Sequence, residues 1–400
     1  MTAALEVLAV HTATVPMRRI FAHASHSHSA TRSVLVTVRL HGTEGWGEGA
    51  PRPYVTGETL QSAARCLRRV NPAVLGPLLP ADDFSGAVDA LASLDLPRLL
   101  GGSRPAPAAA AALETALLDA LCRLHGRSMS DVLDACRWAA PVLTAAPARR
   151  VVSEVVDTSR TPAEQLGMLP AAARSRLRHV KLKALPSPEE TAERAREARR
   201  LLGPAVRLSV DVNGGWSPQA AEEGARLLRE SAAVDWLEEP TTPRDWTTLS
   251  RIQDGGMPVM LDESAVDAVD LAWAVTTGAA SLINVRISKC GGLLPSLRLA
   301  SLAHGEGLRV QVGVQVGEVG PLWSTGRTLA ARLADVVAVE CGRQDEWFPT
   351  PLTEPRYTVD RDHHLAPPPP GPGHGLRPAD LLVPHLADVP PAEPEQPSAD

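Results

Sequence analysis

The chain has 400 residues, of which 44% are hydrophobic and 22% charged, as is typical of a folded globular protein rather than a disordered one. Its net charge of −6 provides no basic surface, so nucleic acid is not an expected partner. The five cysteines are scattered and lack CxxC spacing, which argues against a disulfide framework or zinc site and favours a reducing, cytoplasmic compartment. No apolar run reaches the roughly 18 residues that span a bilayer, so no membrane partner is expected.

The first third of the chain predicts a small α+β domain over residues 1–130. Residues 5–15 and 33–41 alternate in polarity as strands do. Helices are predicted over about 58–70 and over PAPAAAAALETALLDALCRLHG, which begins near Pro105 and ends at Gly126. Two strands followed by helices are typical of an α+β layer arrangement.

The rest of the chain alternates between strand and helix patterns, which predicts a (β/α)7-8 barrel of the TIM type over residues 131–349. Strands are predicted at 149–158, 177–183, 206–211, 234–238, 258–262, 281–286, 308–313 and 336–340, and helices at 188–202, 218–230, 264–276 and 292–304. Residues from about 350 to 385 are expected to return to the first domain. The proline-rich stretch 386–400 is predicted to be a disordered tail.

Five polar signals occur at the ends of consecutive predicted strands. They are HVKLKA (Lys183), LSVDVNGGW (Asp211), DWLEEP (Glu238), VMLDES (Asp262) and LINVRISKCGG (Arg286), separated by 28, 27, 24 and 24 residues. In a (β/α) barrel the carboxyl ends of the strands meet at one mouth, where functional residues lie. The spacing therefore predicts that these charged side chains converge.

Three of these residues, Asp211, Glu238 and Asp262, are carboxylates on neighbouring strands. Hard oxygen ligands without histidine or thiolate suit Mg²⁺, with Mn²⁺ as a possible substitute. The alternative is that each caps the following helix, as Asp262 could. Three at consecutive strand ends favour a metal site, with Asn213 beside it as a candidate substrate-binding residue.

Lys181 and Lys183 are two residues apart on a predicted strand, so their side chains point to the same face. Two neighbouring ammonium groups disfavour protonation, so one lysine can be neutral near pH 7 and act as a base. The alternative is a solvated basic strand end, which is the commoner explanation of an isolated KxK.

Together with GWGEGAPRPYVTGET and ALETALLDALCRLHG, these motifs resemble the enolase superfamily, specifically the muconate lactonizing enzyme (muconate cycloisomerase)-like subgroup of the mandelate racemase/muconate lactonizing enzyme family. The resemblance extends to about residue 380. It implies that Lys183 is the base, that Lys181 tunes it, and that Asp211, Glu238 and Asp262 bind Mg²⁺. The implied reaction removes the proton α to the carboxylate of a small-molecule substrate, and the implied assembly is a homo-oligomer.

One residue departs from the subgroup's pattern: Arg286 stands where the second lysine is expected. A guanidinium stays protonated at ordinary pH, so Arg286 is a poor base and a permanent cation. It either forms an ion pair with Glu238 or Asp262, or holds the substrate carboxylate or enolate. Lys289 is an alternative second base, although its position favours a structural role.

This departure favours a one-base cycloisomerase or dehydratase/lyase. The alternative is a two-base amino-acid or dipeptide epimerase or racemase, and a third possibility is a barrel that binds metal and ligand without turnover. The eighth strand lacks the D-x-D pair with which the dipeptide epimerases of the subgroup hold a substrate ammonium; Glu340 stands there alone.

The resemblance also implies two capping loops that close over the mouth. His26 lies in the first loop and Tyr54 in the second, and both are candidate substrate-binding residues. Glu318, after the seventh strand, and Glu340, after the eighth, are further candidates.

Overall fold

A computed structural model describes residues 4–22, 27–340, 347–356, 359, 364–365 and 368–389. The predicted loop residue His26 lies outside these ranges. No helix in the described ranges is both long and apolar enough to cross a membrane.

An antiparallel sheet is built from the N-terminal residues and one late segment. Strands β1 (Leu5–Ala22), β2 (Ser27–Leu40) and β3 (Thr43–Gly49) are joined by β12 (Leu386–Asp388), in the order β12-β1-β2-β3. The predicted start of a disordered tail at residue 386 is therefore wrong. Residues 386–388 pair with the free edge of β1, where Val10 also accepts from the Val389 amide at 3.0 Å. Residues 390–400 lie outside the described ranges.

Helices cover one face of this sheet. They are α1 (Leu60–Arg68), α2 (Pro72–Leu75), α3 (Phe84–Ser93), α4 (Leu96–Gly101), α5 (Pro107–His125) and α6 (Met129–Ala135). Short 3-10 turns follow at Gly76–Leu78 and Arg137–Val142. The central helix α5 is buried from Pro107 to Cys122, which explains why its sequence is apolar on all sides.

Strand β3 packs against α5 through glycines. A Cβ added to Gly45, Gly47 or Gly49 would overlap α5 main-chain atoms of Ala120, Ala112 or Ala108, respectively. Glycines two residues apart lie on one face of a strand, and alanines at steps of four lie on one face of a helix. The GWGEG motif thus lets the strand and the helix approach closely.

The second sheet has eight parallel strands that follow chain order. They are β4 (Glu154–Val156), β5 (His179–Lys183), β6 (Arg207–Asp211), β7 (Trp236–Glu238), β8 (Val259–Leu261), β9 (Leu282–Val285), β10 (Arg309–Val312) and β11 (Val336–Val339). The sheet curls so that its first and last strands approach, with the Ser153 amide donating to the Val339 carbonyl at 2.8 Å. The predicted barrel architecture is confirmed, whereas the domain boundaries at residues 130 and 349 remain predictions.

Helices connect these strands. They are α7 (Pro162–Met168), α8 (Ala171–Arg174), α9 (Pro188–Leu202), α10 (Pro218–Ala232), α11 (Trp246–Asp254), α12 (Ala268–Thr277), α13 (Ile287–Cys290), α14 (Leu293–Gly305) and α15 (Pro321–Arg332). Of these connecting helices, the ones that were not predicted are α7, α8, α11, α13 and α15. Threonine and tryptophan give α11 and α15 weak intrinsic propensity, and α15 also contains Gly326, so burial against the barrel stabilises these two helices.

The barrel interior contains a closely packed layer below its carboxyl end. The His179 ring stacks on Trp236 with centroids 4.6 Å apart, and its nitrogens lie 2.8 and 2.9 Å from the Ser153 and Ser209 hydroxyls. Burial holds the pKa of His179 well below its ordinary value, so the ring is neutral. The charged residues of the mouth lie on the carboxyl-end side of this layer.

Two buried glutamates join the antiparallel domain to the barrel. Glu48 on β3 accepts from the amides of Val319 and Gly320 at the start of α15, at 2.6 and 2.9 Å. Glu114 on α5 accepts from the amides of Leu293 and Leu294 at the start of α14, also at 2.6 and 2.9 Å. Each carboxylate satisfies amides that have no partner within the first turn of the helix.

Candidate active site

The structure brings the predicted charged residues together at the carboxyl end of the barrel. Lys183, Asp211 and Glu238 are the last residues of β5, β6 and β7, and the register pairs Lys183 with Asp211 and Asp211 with Glu238. Asp262 and Arg286 directly follow β8 and β9. All five side chains are buried, so they form one desolvated cluster.

Lys183 donates to oxygen acceptors at the end of β6 and in the turn that follows it. Its Nζ donates to Asp211 Oδ2 at 2.5 Å and to Asn213 Oδ1 at 2.9 Å. Asn213 has a positive φ of 50°, and its amide donates to Asp211 Oδ1 at 3.0 Å. The VDVN turn thus orients both the lysine and the carboxylate beside it.

Lys181 is surrounded by three carboxylates. Its Nζ lies 2.5 Å from Glu238 Oε2, 2.5 Å from Glu340 Oε1 and 3.6 Å from Asp211 Oδ2. Burial lowers the pKa of Lys181, but these three carboxylates outweigh that effect and raise the pKa above its ordinary value. The predicted loss of a proton therefore does not apply to Lys181, which is a fixed cation beside Lys183.

Arg286 and Lys289 both hold Asp262. Arg286 forms an ion pair with Asp262 Oδ2, which is one of the two interactions expected from the sequence. The Lys289 Nζ lies 3.1 Å from Asp262 Oδ1 and donates to the Asp262 and Asn284 carbonyls, each at 2.6 Å. The Lys289 side chain has no exposed surface. This burial is consistent with the structural role that its position favoured over that of a second base.

Arg286 stays protonated in this environment. Burial lowers its pKa, but the carboxylates of Asp262, Glu263, Glu340 and Glu238 raise it above the ordinary arginine value. Lys183 and Arg286 belong to the second and sixth of eight strands, which places them half a turn apart around the barrel. A substrate in the mouth would therefore have an amine on one side and a permanent cation on the other.

The donor chemistry at the mouth fits a hard divalent cation. Burial and neighbouring carboxylates raise the pKa of Glu238 to about 7 although Lys181 opposes them, and the pKa of Glu263 is raised well above its ordinary value. Glu263 Oε2 is buried without a hydrogen-bond partner among the described residues. This crowding of negative charge is what a divalent cation would relieve.

The carboxylates are nevertheless held by protein cations in this structure. In the ranges that the structure describes, no three His, Cys, Asp or Glu side chains lie close enough together to hold one metal ion. The Lys181 ammonium and the Arg286 guanidinium lie against the oxygens of Glu238 and Asp262 instead. Metal binding by Asp211, Glu238 and Asp262 is therefore a proposal about these residues.

The predicted substrate-binding residues differ in their surroundings. Glu340 is paired with Lys181, and buried Glu318 accepts from the Gln315 amide of its own loop at 2.8 Å. Tyr54 is partly buried, which raises the pKa of its phenol, while the charges of Arg52 and Arg286 lower it. Tyr54 thus lies within electrostatic reach of the mouth.

Sequence reasoning missed several residues that support the charged cluster. Asn284 donates to Glu238 Oε1 at 3.0 Å, and Glu239 Oε2 accepts from the Asp262 amide at 2.8 Å. Asn284 lies two residues before Arg286 on a strand that points alternate side chains inward, so strand alternation was a usable signal. Nothing in the sequence distinguishes Glu239 from an ordinary surface glutamate.

Two sequence models of a known family match most of this chain. The model described as "Enolase C-terminal domain-like" matches residues 167–381. The model described as "Mandelate racemase / muconate lactonizing enzyme, N-terminal domain" matches residues 5–134. The chain belongs to the mandelate racemase/muconate lactonizing enzyme family of the enolase superfamily.

Relatives in this superfamily carry out more than one reaction. The N-succinyl-L-Arg/Lys racemase of Bacillus cereus is 25% identical over 318 residues, which cover 78% of this chain and 80% of the relative. Among solved structures, muconate lactonizing enzyme from Pseudomonas fluorescens complexed with muconolactone has a TM-score of 0.80 and 23% identity, covering 97% of this chain and 100% of that one. A dipeptide epimerase from Enterococcus faecalis, complexed with Mg and the dipeptide L-Leu-L-Tyr, has a TM-score of 0.74 and 20% identity, with coverage of 93% and 99%.

Proposed function

We propose that this enolase-superfamily enzyme removes the proton α to the carboxylate of a small carboxylic acid with a single base, Lys183. The observation that carries the proposal is the position of Arg286, opposite Lys183 and paired with Asp262. The reaction class that follows is cycloisomerisation or elimination, because neither needs a second base.

Lys183 is the proposed base because it is the last residue of β5, at the open end of the barrel, where its Nζ contacts the Asp211 carboxylate and the Asn213 amide oxygen. Lys181 fixes a positive charge below it and cannot replace it, since Glu238 and Glu340 keep that ammonium charged. Arg286 supports an anion on the far side of the α-carbon without exchanging protons.

Asp211, Glu238 and Asp262 are the residues proposed to hold Mg²⁺, with Mn²⁺ as a substitute. When bound, the ion would supply the Lewis-acid charge that an enolate of the substrate carboxylate requires. The Mg in the dipeptide epimerase structure supports this proposal by family likeness.

A second candidate is an amino-acid or dipeptide racemase or epimerase. Several relatives favour it over the one-base reaction, because an N-succinyl-L-Arg/Lys racemase and two L-Ala-D/L-Glu epimerases are 24–25% identical to this chain. A two-base mechanism needs a titratable group opposite Lys183, and Arg286 occupies that position here. A non-catalytic binding barrel is a third alternative.

The test is α-proton exchange in D₂O with Mg²⁺, followed by NMR for muconolactone, N-succinyl-L-arginine and L-Ala-L-Glu. We expect exchange with at least one acid, its loss in Lys183→Ala, and no loss in Arg178→Ala, an exposed cation at the opposite end of β5. Removal of metal with EDTA should abolish exchange, and added Mg²⁺ or Mn²⁺ should restore it.

The outcomes separate the three candidates. Deuterium in only one stereoisomer supports the one-base reaction, whereas deuterium in both establishes the racemase or epimerase. Exchange that survives EDTA would contradict the proposed metal ligands. No exchange with any of the three acids would favour the binding barrel.

A further inference from the structure

Arg52 lies in the loop after β3 and is buried, with 5% of its surface exposed. Its guanidinium donates to three main-chain carbonyls: Nη1 to Arg32 and Pro51, each at 2.7 Å, and Nη2 to Val316 at 2.8 Å. These carbonyls belong to β2, to the loop of Arg52 itself and to the loop after β10. One side chain therefore ties three separate segments together.

A second contact joins β2 to the loop after β10 at the same junction. The Thr31 hydroxyl donates to the Gly317 carbonyl. Gly317 has a φ of +86°, and a Cβ there would lie 2.6 Å from Thr31 Cβ. The glycine thus permits a close approach between the capping domain and the barrel, next to the carbonyl of Val316 that Arg52 holds.

The joined segments carry side chains toward the mouth. The amides of Val55 and Thr56 donate to the Arg52 carbonyl at 2.9 and 2.8 Å, forming the turn that contains Tyr54. In the loop after β10, Gln315 and Glu318 are buried, and the Gln315 Nε2 has no hydrogen-bond partner among the described residues. Burial raises the pKa of both Tyr54 and Glu318, and the charge of Arg286 opposes this shift in each, so both residues lie within electrostatic reach of the mouth.

We propose that Arg52 is a positioning residue that holds the Tyr54 turn and residues 315–318 as one wall of the substrate pocket. The planar guanidinium suits this task because its donors point in fixed directions toward several acceptors, whereas a lysine ammonium is a single point on a flexible stem. The significance for substrate binding rests on the proposed function, but the physical coupling of the two segments does not.

The coupling is tested by hydrogen–deuterium exchange of the ligand-free protein. In Arg52→Met we expect the protected amides of peptides covering 53–57 and 314–320 to exchange faster together, by about tenfold. Arg68→Met is the matched control, because Arg68 donates to the Val10 carbonyl within the capping domain and away from this junction. Thr31→Val, which keeps the side-chain volume, should accelerate exchange in 314–320 by a smaller factor.

The effect on substrate is tested with whichever acid shows α-proton exchange. Arg52→Met should raise KM about tenfold and leave kcat within about threefold, because the wall contacts parts of the substrate that do not react. Arg52→Lys should restore little of this loss, and Arg68→Met should leave both constants unchanged.

Faster exchange confined to 53–57, or unchanged exchange in both peptides, would overturn the proposed coupling. Coupled exchange with an unchanged KM would overturn the positioning of the substrate wall. If no acid reacts in the wild-type protein, the proposed function fails, while the exchange measurement still decides the coupling.

Discussion

Arg286 differs from a lysine in one property that matters at its position: it cannot release a proton near neutral pH. The surrounding carboxylates strengthen this property, because Asp262 and its neighbours raise the guanidinium pKa further. A single side chain therefore divides the mouth into a side that can exchange protons and a side that can only carry charge.

This division predicts the behaviour of Arg286→Lys. An amine opposite Lys183 would provide the missing second base, so deuterium should also enter the other face of the α-carbon, at least about tenfold above the background labelling of that face in the wild-type protein. Arg286→Met lacks both charge and amine and should show no such gain. The measurement is stereochemical analysis of substrate recovered from D₂O. If the wild-type protein and both variants label the same single face of the α-carbon, an amine at position 286 does not act as a second base.

Single residues also show how far the sequence led. The convergence of Lys183, Asp211, Glu238 and Asp262 was predictable, because the carboxyl ends of barrel strands meet at one mouth. Their partners were not, since the contact between Lys181 and Glu340 joins residues that are 159 positions apart in sequence. Which cation holds which carboxylate depends on side-chain geometry that spacing does not encode.

Among the secondary-structure elements, β3 and α5 pack so closely that no side chain fits between them at the three glycines of β3. Three glycines on the strand face main-chain atoms of the helix, which cannot move aside as a flexible side chain would. The surface between the two elements is therefore sensitive to the addition of one carbon atom.

Gly47→Ala should accordingly destabilise the protein by about 3 kcal/mol, because a Cβ there would overlap the Ala112 carbonyl and the Ala116 amide. Gly167→Ala in α7 is the matched control, since nothing lies within 4 Å of its added Cβ. That change should stabilise the protein by about 0.5–1 kcal/mol through helix propensity. Urea unfolding measures the free energy of unfolding of each variant. An equal change in Gly47→Ala and Gly167→Ala would contradict the close packing of β3 against α5.

Elements with a strong local signal were predicted and those stabilised by burial were not. Helix α9 was predicted at its observed bounds, and the structure shows a strong local signal there: Ser187 caps the helix and charged residues fill its outer face. Helix α15 was missed, because Gly326 and three β-branched or hydroxyl residues weaken its propensity and its burial is visible only in the fold. Local sequence could not show that both ends of this helix would be covered.

At the scale of the whole molecule, two buried carboxylates, Glu48 and Glu114, connect the antiparallel domain to the barrel. Burial raises the pKa of Glu114 to about 8 and that of Glu48 above its ordinary value, although the helix amides that they accept from oppose this shift. A carboxyl group with a raised folded-state pKa binds its proton more tightly when folded. Its contribution to stability is therefore complete below the unfolded pKa near 4.5 and is lost as pH rises toward 8.

Glu114→Gln should flatten this pH dependence. The wild-type free energy of unfolding should fall between about pH 4.5 and 8, and the variant, which lacks the titrating group, should fall less steeply. Urea unfolding at several pH values measures the slope, with exposed Glu306→Gln as the control that keeps it. An unchanged slope in Glu114→Gln would show that Glu114 binds no extra proton on folding.

The glutamates at the starts of α14 and α15 have a consequence for engineered recombination within this superfamily. A capping domain transplanted from a relative would have to bring a carboxylate to each of these two helix starts. The recipient barrel would also need Gly292, where a Cβ would overlap the Glu114 carboxylate. The practical crossover unit is therefore larger than either sheet, and successful chimeras should inherit Glu48, Glu114 and the glycine pair at 291–292 from the same parent.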